Sequence, residues 1–351
     1  MLQSYDLTFI FEKNQMKTLI SATLVSFLLL MGCGKPAKQE VKELTLFSAR
    51  KSHLIDRVCK AYEEETGVKI NYITDKAGPL LQKIVSDGVH TKADMLMTVD
   101  VGNLWLAQQK GILESVKSET LEGNIPSHLR DPNGTWFGLT VRARTIVYNT
   151  NKVKASELKS YEDLAAPKWK GRVCLRTSKK VYNQSLVAMM IHHYGEDKTK
   201  SIVEGWVNNL AADVFMKDSK ALAAVAAGQG DVAIVNTYYY GQLMQKKPDA
   251  PLKIFWPNQD SQGVHINISG AGVVKASKNK KAAIKFLEWL SAEKAQTLLA
   301  QVNLEYPVND KIKASEMVQG WGAFKQDSAP LVKAGENQTE AVVLMDKAGY
   351  K

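Results

Sequence analysis

From Leu44 onward the chain alternates short apolar runs with amphipathic stretches. "LTLFSAR" reads as a strand, and "HLIDRVCKAYEEETG" spaces its apolar residues three and four apart before closing on a glycine, which predicts a helix. "VKINYIT" is a second strand, "PLLQKIVSDG" a second helix and "ADMLMTV" a third strand. Strand–helix alternation predicts an α/β fold with a largely parallel sheet. Ligands in such sheets bind beyond the carboxyl ends of the strands. That puts Ser48 to His53 at one rim, together with Thr98 to Asp100.

The rhythm then changes. "WFGLTVRARTIVYN" (Trp136 to Asn149) is an extended run longer than one lobe's sheet needs. A second series follows: "GRVCLR", a helix around "QSLVAMMIHHYG", "ADVFMK", the helix "SKALAAVAAGQG" and the strand "DVAIV". A second extended run, "GVHINISGAGVV", precedes one amphipathic helix, "KKAAIKFLEWLSAEKAQTLLA". Two long strands flanking an inserted α/β unit predict two lobes joined by crossover strands, a clamshell able to close on a ligand. The expected division is 44–141 for the first part of lobe one, 142–267 for lobe two and 268–315 for the return to lobe one. Residues 316–351 are expected to form C-terminal helices packing on lobe two.

The first 32 residues stand outside this rhythm. From Met16, "MKTLISATLVSFLLLMGC" has a lysine, an apolar run too short to span a bilayer and small residues before Cys33, as in an export signal. "LMGC" resembles a lipoprotein cleavage box, which implies a lipid anchor on Cys33; soluble secretion is the alternative. The polar segment 33–43 suits a tether. Cys59 and Cys174 fall in a helical and a strand pattern, as buried free thiols do. The net charge of +10 comes from scattered lysines, with no basic helix or aromatic-and-basic motif, so nucleic acid is not an expected partner. No nucleophile elbow, H-E-x-x-H, phosphate loop or CxxC is present, which argues against an enzyme.

"NTYYYG" (Asn236 to Gly241) leaves the strand "DVAIV" at its carboxyl end. Consecutive strand residues point to opposite faces, so these phenols share a surface only if the backbone turns there. Buried phenols need hydrogen-bond partners and make poor core. As phenolates they are hard anionic oxygen donors, matched to a small trivalent cation. Aromatic packing and metal ligation are both open on composition alone.

Residues 44 to about 326 resemble the ferric-iron-binding periplasmic proteins, the substrate-binding subunits of bacterial iron ABC transporters. The resembling stretches, in order, include "LFSARKSHLID", "ADMLMTVD", "WFGLTVRARTIVYN", "WKGRVCLRTSKKVYNQSL", "VNTYYYG", "HINISGAGVV", "EYPVN" and "GWGAFK". The resemblance implies a two-lobed periplasmic-binding-protein fold and Fe(III) held by Tyr238 and Tyr239. A third ligand falls on Tyr182, from "RTSKKVYN". Tyr240 would pack nearby, and Tyr148 is structural.

The first loop, Arg50-Lys51-Ser52-His53, lacks the tyrosine that many relatives carry there. Either His53 completes the coordination, or a carbonate or bicarbonate anion does so, held by Arg50 and Arg142. Three tyrosinates neutralise Fe(III); two buried arginines without counter-charge would then favour a dianion. Asp100 and Thr98 are expected at the cleft rim, His265 at the hinge, and His192 and His193 at a helix end. Trp289 and Trp321 are expected in the core. The implied function is capture of ferric iron or a ferric chelate in the periplasm by a monomer. Delivery is to an inner-membrane ABC permease. A receptor for an oxyanion or polyamine on the same fold is the alternative.

Overall fold

The computed structural model describes residues 41–351. The export signal, Cys33 and residues 33–40 of the tether lie outside the described residues. The chain opens with β1 (Glu43–Ser48), α1 (Asp56–Thr66), β2 (Lys69–Thr74), α2 (Ala77–Asp87), β3 (Met95–Val99), α3 (Val101–Gln109) and α4 (Glu119–Asn124). The crossover strand β4 (Phe137–Asn149) follows, its thirteen residues all buried. Next come β5 (Val173–Cys174), α5 (Val181–Tyr194), α6 (Glu196–Asn208), α7 (Asp218–Ala226), β6 (Val232–Asn236), α8 (Thr237–Lys246) and β7 (Leu252–Phe255). The return strand β8 (Ile266–Val273) leads to α9 (Lys280–Leu290), α10 (Glu293–Asn303) and β9 (Tyr306–Pro307). The short α11 (Glu316–Gln319), α12 (Val332–Glu336) and α13 (Gln338–Lys347) close the chain.

The strands run β2-β1-β3-β8-β4-β6-β5 in one curled sheet, with β7 and β9 also paired to β4. Within each lobe the pairs are parallel, β1 with β2 and β3, and β5 with β6. The crossover strands run against their neighbours, so the sheet is mixed rather than largely parallel. The reason lies in β4. Phe137 to Ala143 pair with β8, while Arg144 to Asn149 pair with β6 and β7. One strand thus serves two lobes: it runs in the direction of lobe one's own strands, separated from them by the opposed β8, and against β6 of lobe two. This is the two-lobed arrangement the two long extended runs predict.

Three elements differ from their sequence patterns. "ADVFMK" is not a strand; it makes a single bridge, Arg176 to Phe215. The long amphipathic helix after β8 is two helices, broken where the Ser291 hydroxyl donates to its own helix at Glu288 O (2.7 Å) and accepts from Asn124 (3.0 Å). Such side-chain bonds compete with helix continuation. The helix around "QSLVAMM" starts at Val181, earlier than its apolar run, so Tyr182 lies in its first turn.

The lobe-two core packs Trp169, Trp206 and Tyr148 with Leu344 and Met345 of α13. The C-terminal segment is not confined to that lobe, however. Gly335 on α12 meets Trp105 of α3 so closely that a Cβ would lie 2.3 Å from the indole. Trp289 and Trp321 are half-buried rather than core residues. Cys59 and Cys174 are free and buried, and burial pushes their thiols up to about 12 and about 11. Among the described residues no helix is long and apolar enough to cross a membrane.

Candidate metal centre

β6 ends at Asn236 and α8 begins at Thr237, so the backbone turns into a helix where the phenols begin. That turn brings the Tyr238 and Tyr239 rings side by side, their centroids 4.4 Å apart. Tyr182 is the second residue of α5, reached by the loop after β5. Because β5 and β6 are parallel neighbours, both helix starts lie beyond the same sheet edge.

The six residues singled out from sequence line one cavity of about 470 Å³: Arg50, His53, Arg142, Tyr182, Tyr238 and Tyr239. Lys51, Lys180, Gln242, Ser269, Asn303 and Glu305 are further polar residues of its wall. Tyr182 and Tyr238 are 8% and 7% exposed. Burial raises the pKa of Tyr182, and the neighbouring Tyr239 adds to the shift. Tyr238 lies well above the ordinary phenol value through burial and the proximity of Tyr182 and Tyr239. Both stay protonated near neutral pH unless a cation displaces the protons. Among the described residues no three His, Cys, Asp or Glu side chains cluster as a metal site.

Behind Tyr238 stands a polar scaffold. Asn236 donates through Nδ2 to the Tyr238 hydroxyl at 3.2 Å, and Arg144 donates to Asn236 Oδ1 at 2.9 Å. Arg144 also pairs with buried Asp218 at 3.2 Å and donates to Asn183 on α5 at 2.9 Å, tying the two tyrosine-bearing helices together.

The cations require a correction. Arg50 is not without counter-charge: it meets Glu305 at 2.9 Å, both 2% exposed, and donates to Thr140 at 3.1 Å. Arg142 has Asp100 at 3.8 Å, a longer contact that leaves its Nη2 with no hydrogen bond. The excess charge lies elsewhere. Arg142, Arg176 and Lys180 all stand over the Tyr182 ring, at 5.6, 5.5 and 4.6 Å from its centroid. Around the phenols Arg50, Arg142, Arg144, Arg176 and Lys180 face only Asp100, Asp218 and Glu305. A neutral tris-phenolate–Fe(III) unit would leave this surplus of positive charge unbalanced.

Other expectations shift with the structure. Asp100 is fully buried rather than at the rim. It caps α3 by accepting from the Gly102 N–H at 3.1 Å, and accepts from Ser185 on α5 at 2.5 Å and from Asn267 on β8 at 3.0 Å. Thr98 is buried as well. His53 is exposed on a short turn, Ser52–Leu54. His265 does not line the cavity; its ring nitrogens have no partner, and burial lowers its pKa to about 3. His193 pairs with Asp327 at 2.7 Å at the far end of α5. The Tyr240 hydroxyl reaches Leu252 O at 3.5 Å, with its ring edge-on to Trp321.

Glu305 and Lys180 were missed from sequence. Glu305 carries a faint signal, the lone acid between Glu293 and Asp310. Lys180 carries none, since nothing marks it out among the surface lysines.

Comparison with known proteins is consistent with this geometry. The profile of the family described as bacterial extracellular solute-binding protein matches residues 90–324. Iron uptake protein A1 of Synechocystis is 43% identical over 318 residues, covering 89% of this chain and 88% of that protein. A Trichodesmium protein solved in complex with iron and citrate ligands superposes with a TM-score of 0.85 at 41% identity, over 88% of this chain and all of that one. The ferric iron-binding protein A of Mannheimia haemolytica, in an open conformation, gives 0.84 at 39% identity, over 88% of this chain and 99% of that one.

Proposed function

Since the chain belongs to the bacterial extracellular solute-binding proteins, and among them to the ferric-iron-binding periplasmic proteins, we propose that it captures Fe(III) in the periplasm and hands it to an ABC-type permease. The observation that carries this reading is the convergence of Tyr182, Tyr238 and Tyr239 on one cavity whose surrounding charge is positive. Phenols offered to a cation amid arginines suit a metal that brings enough charge to expel their protons. They do not suit an organic cation, which would be repelled. A trivalent ion at bonding distance dominates the local field and drives the phenols to phenolates.

In this reading Tyr182, Tyr238 and Tyr239 supply the protein ligands. A carbonate-type anion completes the coordination against the unpartnered Nη2 of Arg142. Arg50, committed to Glu305, contributes its charge and a free Nε. His53 stays at the exposed edge as a surface residue. Closure of the lobes about β4 and β8 would remove the ion from water. Solute-binding proteins perform no bond chemistry on their cargo, and release is left to the permease.

Equilibrium dialysis against a ferric salt in bicarbonate should retain one iron per chain, undisplaced by putrescine. A chain that retains none would contradict the reading. His53→Ala should change retention by no more than about twofold, as expected for a surface substitution. A far larger loss would make His53 a ligand and remove the need for the anion.

A further inference from the structure

Gly241 closes the motif that carries the phenols, yet nothing in its backbone calls for glycine. It lies inside α8 with no left-handed φ, and glycine there weakens a helix relative to alanine. The reason is steric. A Cβ at Gly241 would stand 2.6 Å from Leu304 Cδ1 and 2.7 Å from Trp321 Cζ2. Trp321 belongs with lobe two, since Trp256, just beyond β7, donates to its carbonyl at 3.2 Å. Leu304 comes from lobe one: it caps α10, and the residues after it are tied there, Glu305 to Arg50 and β9 to Thr140 and Val141. Gly241 is therefore a notch in lobe two that receives a side chain of lobe one.

Leu304 is held in an unusual backbone to make this contact. Its φ of 53° and ψ of 46° are left-handed values that disfavour a residue with a Cβ. The other positive-φ non-glycines among the described residues are Asp100 and Asn258, types that tolerate the region better. Leu304 is buried and clusters with Tyr238 and Val318. Beside it, Gln242 Nε2 donates to Asn303 Oδ1 at 3.1 Å, a second contact from lobe to lobe, and both residues line the metal cavity. Gly241 and Gln242 follow Tyr238 by three and four positions, so the three share one face of α8. The face that presents a phenol to the cavity is the face that lobe one grips.

We infer that Asn303 and Leu304 form a clasp that holds lobe one on the tyrosine-bearing helix, and that as positioning residues they set how slowly iron leaves. The inference rests on iron being held by Tyr182, Tyr238 and Tyr239. All three lie on α5 and α8, both in lobe two, so the metal can join its protein ligands before lobe one arrives. What lobe one adds is burial. With Leu304 in the Gly241 notch, Tyr238 is covered and water is kept from the phenolate–iron bonds. With the clasp parted, the same ligands face solvent. The clasp therefore governs dissociation and leaves the ligand set unchanged.

The test loads the full chain with ferric nitrilotriacetate in bicarbonate, then follows release to excess EDTA by decay of the phenolate–iron band. Gly241→Ala fills the notch with a methyl group, whereas Leu304→Gly removes the side chain at a φ that glycine adopts freely. Each should release iron roughly tenfold faster, the scale of one lost packing contact, with the band at its wild-type position. The double variant should release iron no faster than the faster single variant, because both substitutions break one contact. In small-angle scattering the iron-loaded wild type should match the radius of gyration of the clasped structure, and each single variant should exceed it. Release at the wild-type rate from either folded variant would overturn the clasp, as would accelerations that multiply in the double variant. A shifted band would overturn it too, since Gly241 would then act on the phenols within lobe two. If wild type shows no band, the tyrosine site fails, and the clasp with it.

Discussion

Tyr239→Phe should bleach or strongly shift the visible band of the iron-loaded protein and weaken ferric binding by more than about 100-fold. The floor of that estimate is the loss seen when a supporting partner of a metal ligand is removed, which reaches about 100-fold; losing a ligand costs more. The position suits a clean test. Tyr239 is half-buried, and its ring packs against Tyr238 at 4.4 Å, a contact phenylalanine preserves. Among the described residues no protein hydrogen bond ties down its hydroxyl, so the fold should lose little. Thermal unfolding of the metal-free variant should match wild type, while the absorbance titration should not. Unchanged colour and affinity would remove Tyr239 from the site.

Iron affinity should fall steeply with acidity. In the metal-free protein Tyr182 and Tyr238 have pKa values above the ordinary phenol value, chiefly because burial disfavours the phenolate. They are protonated throughout the neutral and acidic range. Binding that converts them to phenolates releases protons, and mass action then disfavours binding as protons become plentiful. Each proton released makes affinity about tenfold weaker per unit of pH lost. Two or three phenols give a drop of roughly 100- to 1,000-fold per unit. Iron retention by dialysis at pH 7.5, 6.5 and 5.5, at constant free ferric activity, measures that slope. A slope of zero would mean that the phenols are not ionised by the metal.

Much of this site was legible in the sequence because its chemistry is local. "NTYYYG" and "RTSKKVYN" carry their phenols in the residues that end a strand or begin a helix, and chain order alone puts those at the sheet edge. The long run around Arg142 to Arg144 announced a shared strand through its length. What the sequence hid was pairing across distance. The Arg50–Glu305 contact joins residues 255 apart, so an arginine expected to be unpaired has a partner at the other end of lobe one. Asp100 looked like a rim residue because it follows a strand. Its burial comes from Ser185 and Asn267, which arrive from lobe two and the return crossover. The break at Ser291 was invisible for a similar reason: the apolar spacing continues through it, and the hydrogen bond from Asn124 depends on the tertiary fold.

The most direct measurement is a visible-absorbance titration of the metal-free protein with ferric citrate, with and without added bicarbonate. The account predicts a saturable phenolate-to-iron band that reaches its plateau at one iron per chain. A flat, colourless titration would contradict it, and would return Tyr182, Tyr238 and Tyr239 to the packing of an anion-binding cleft.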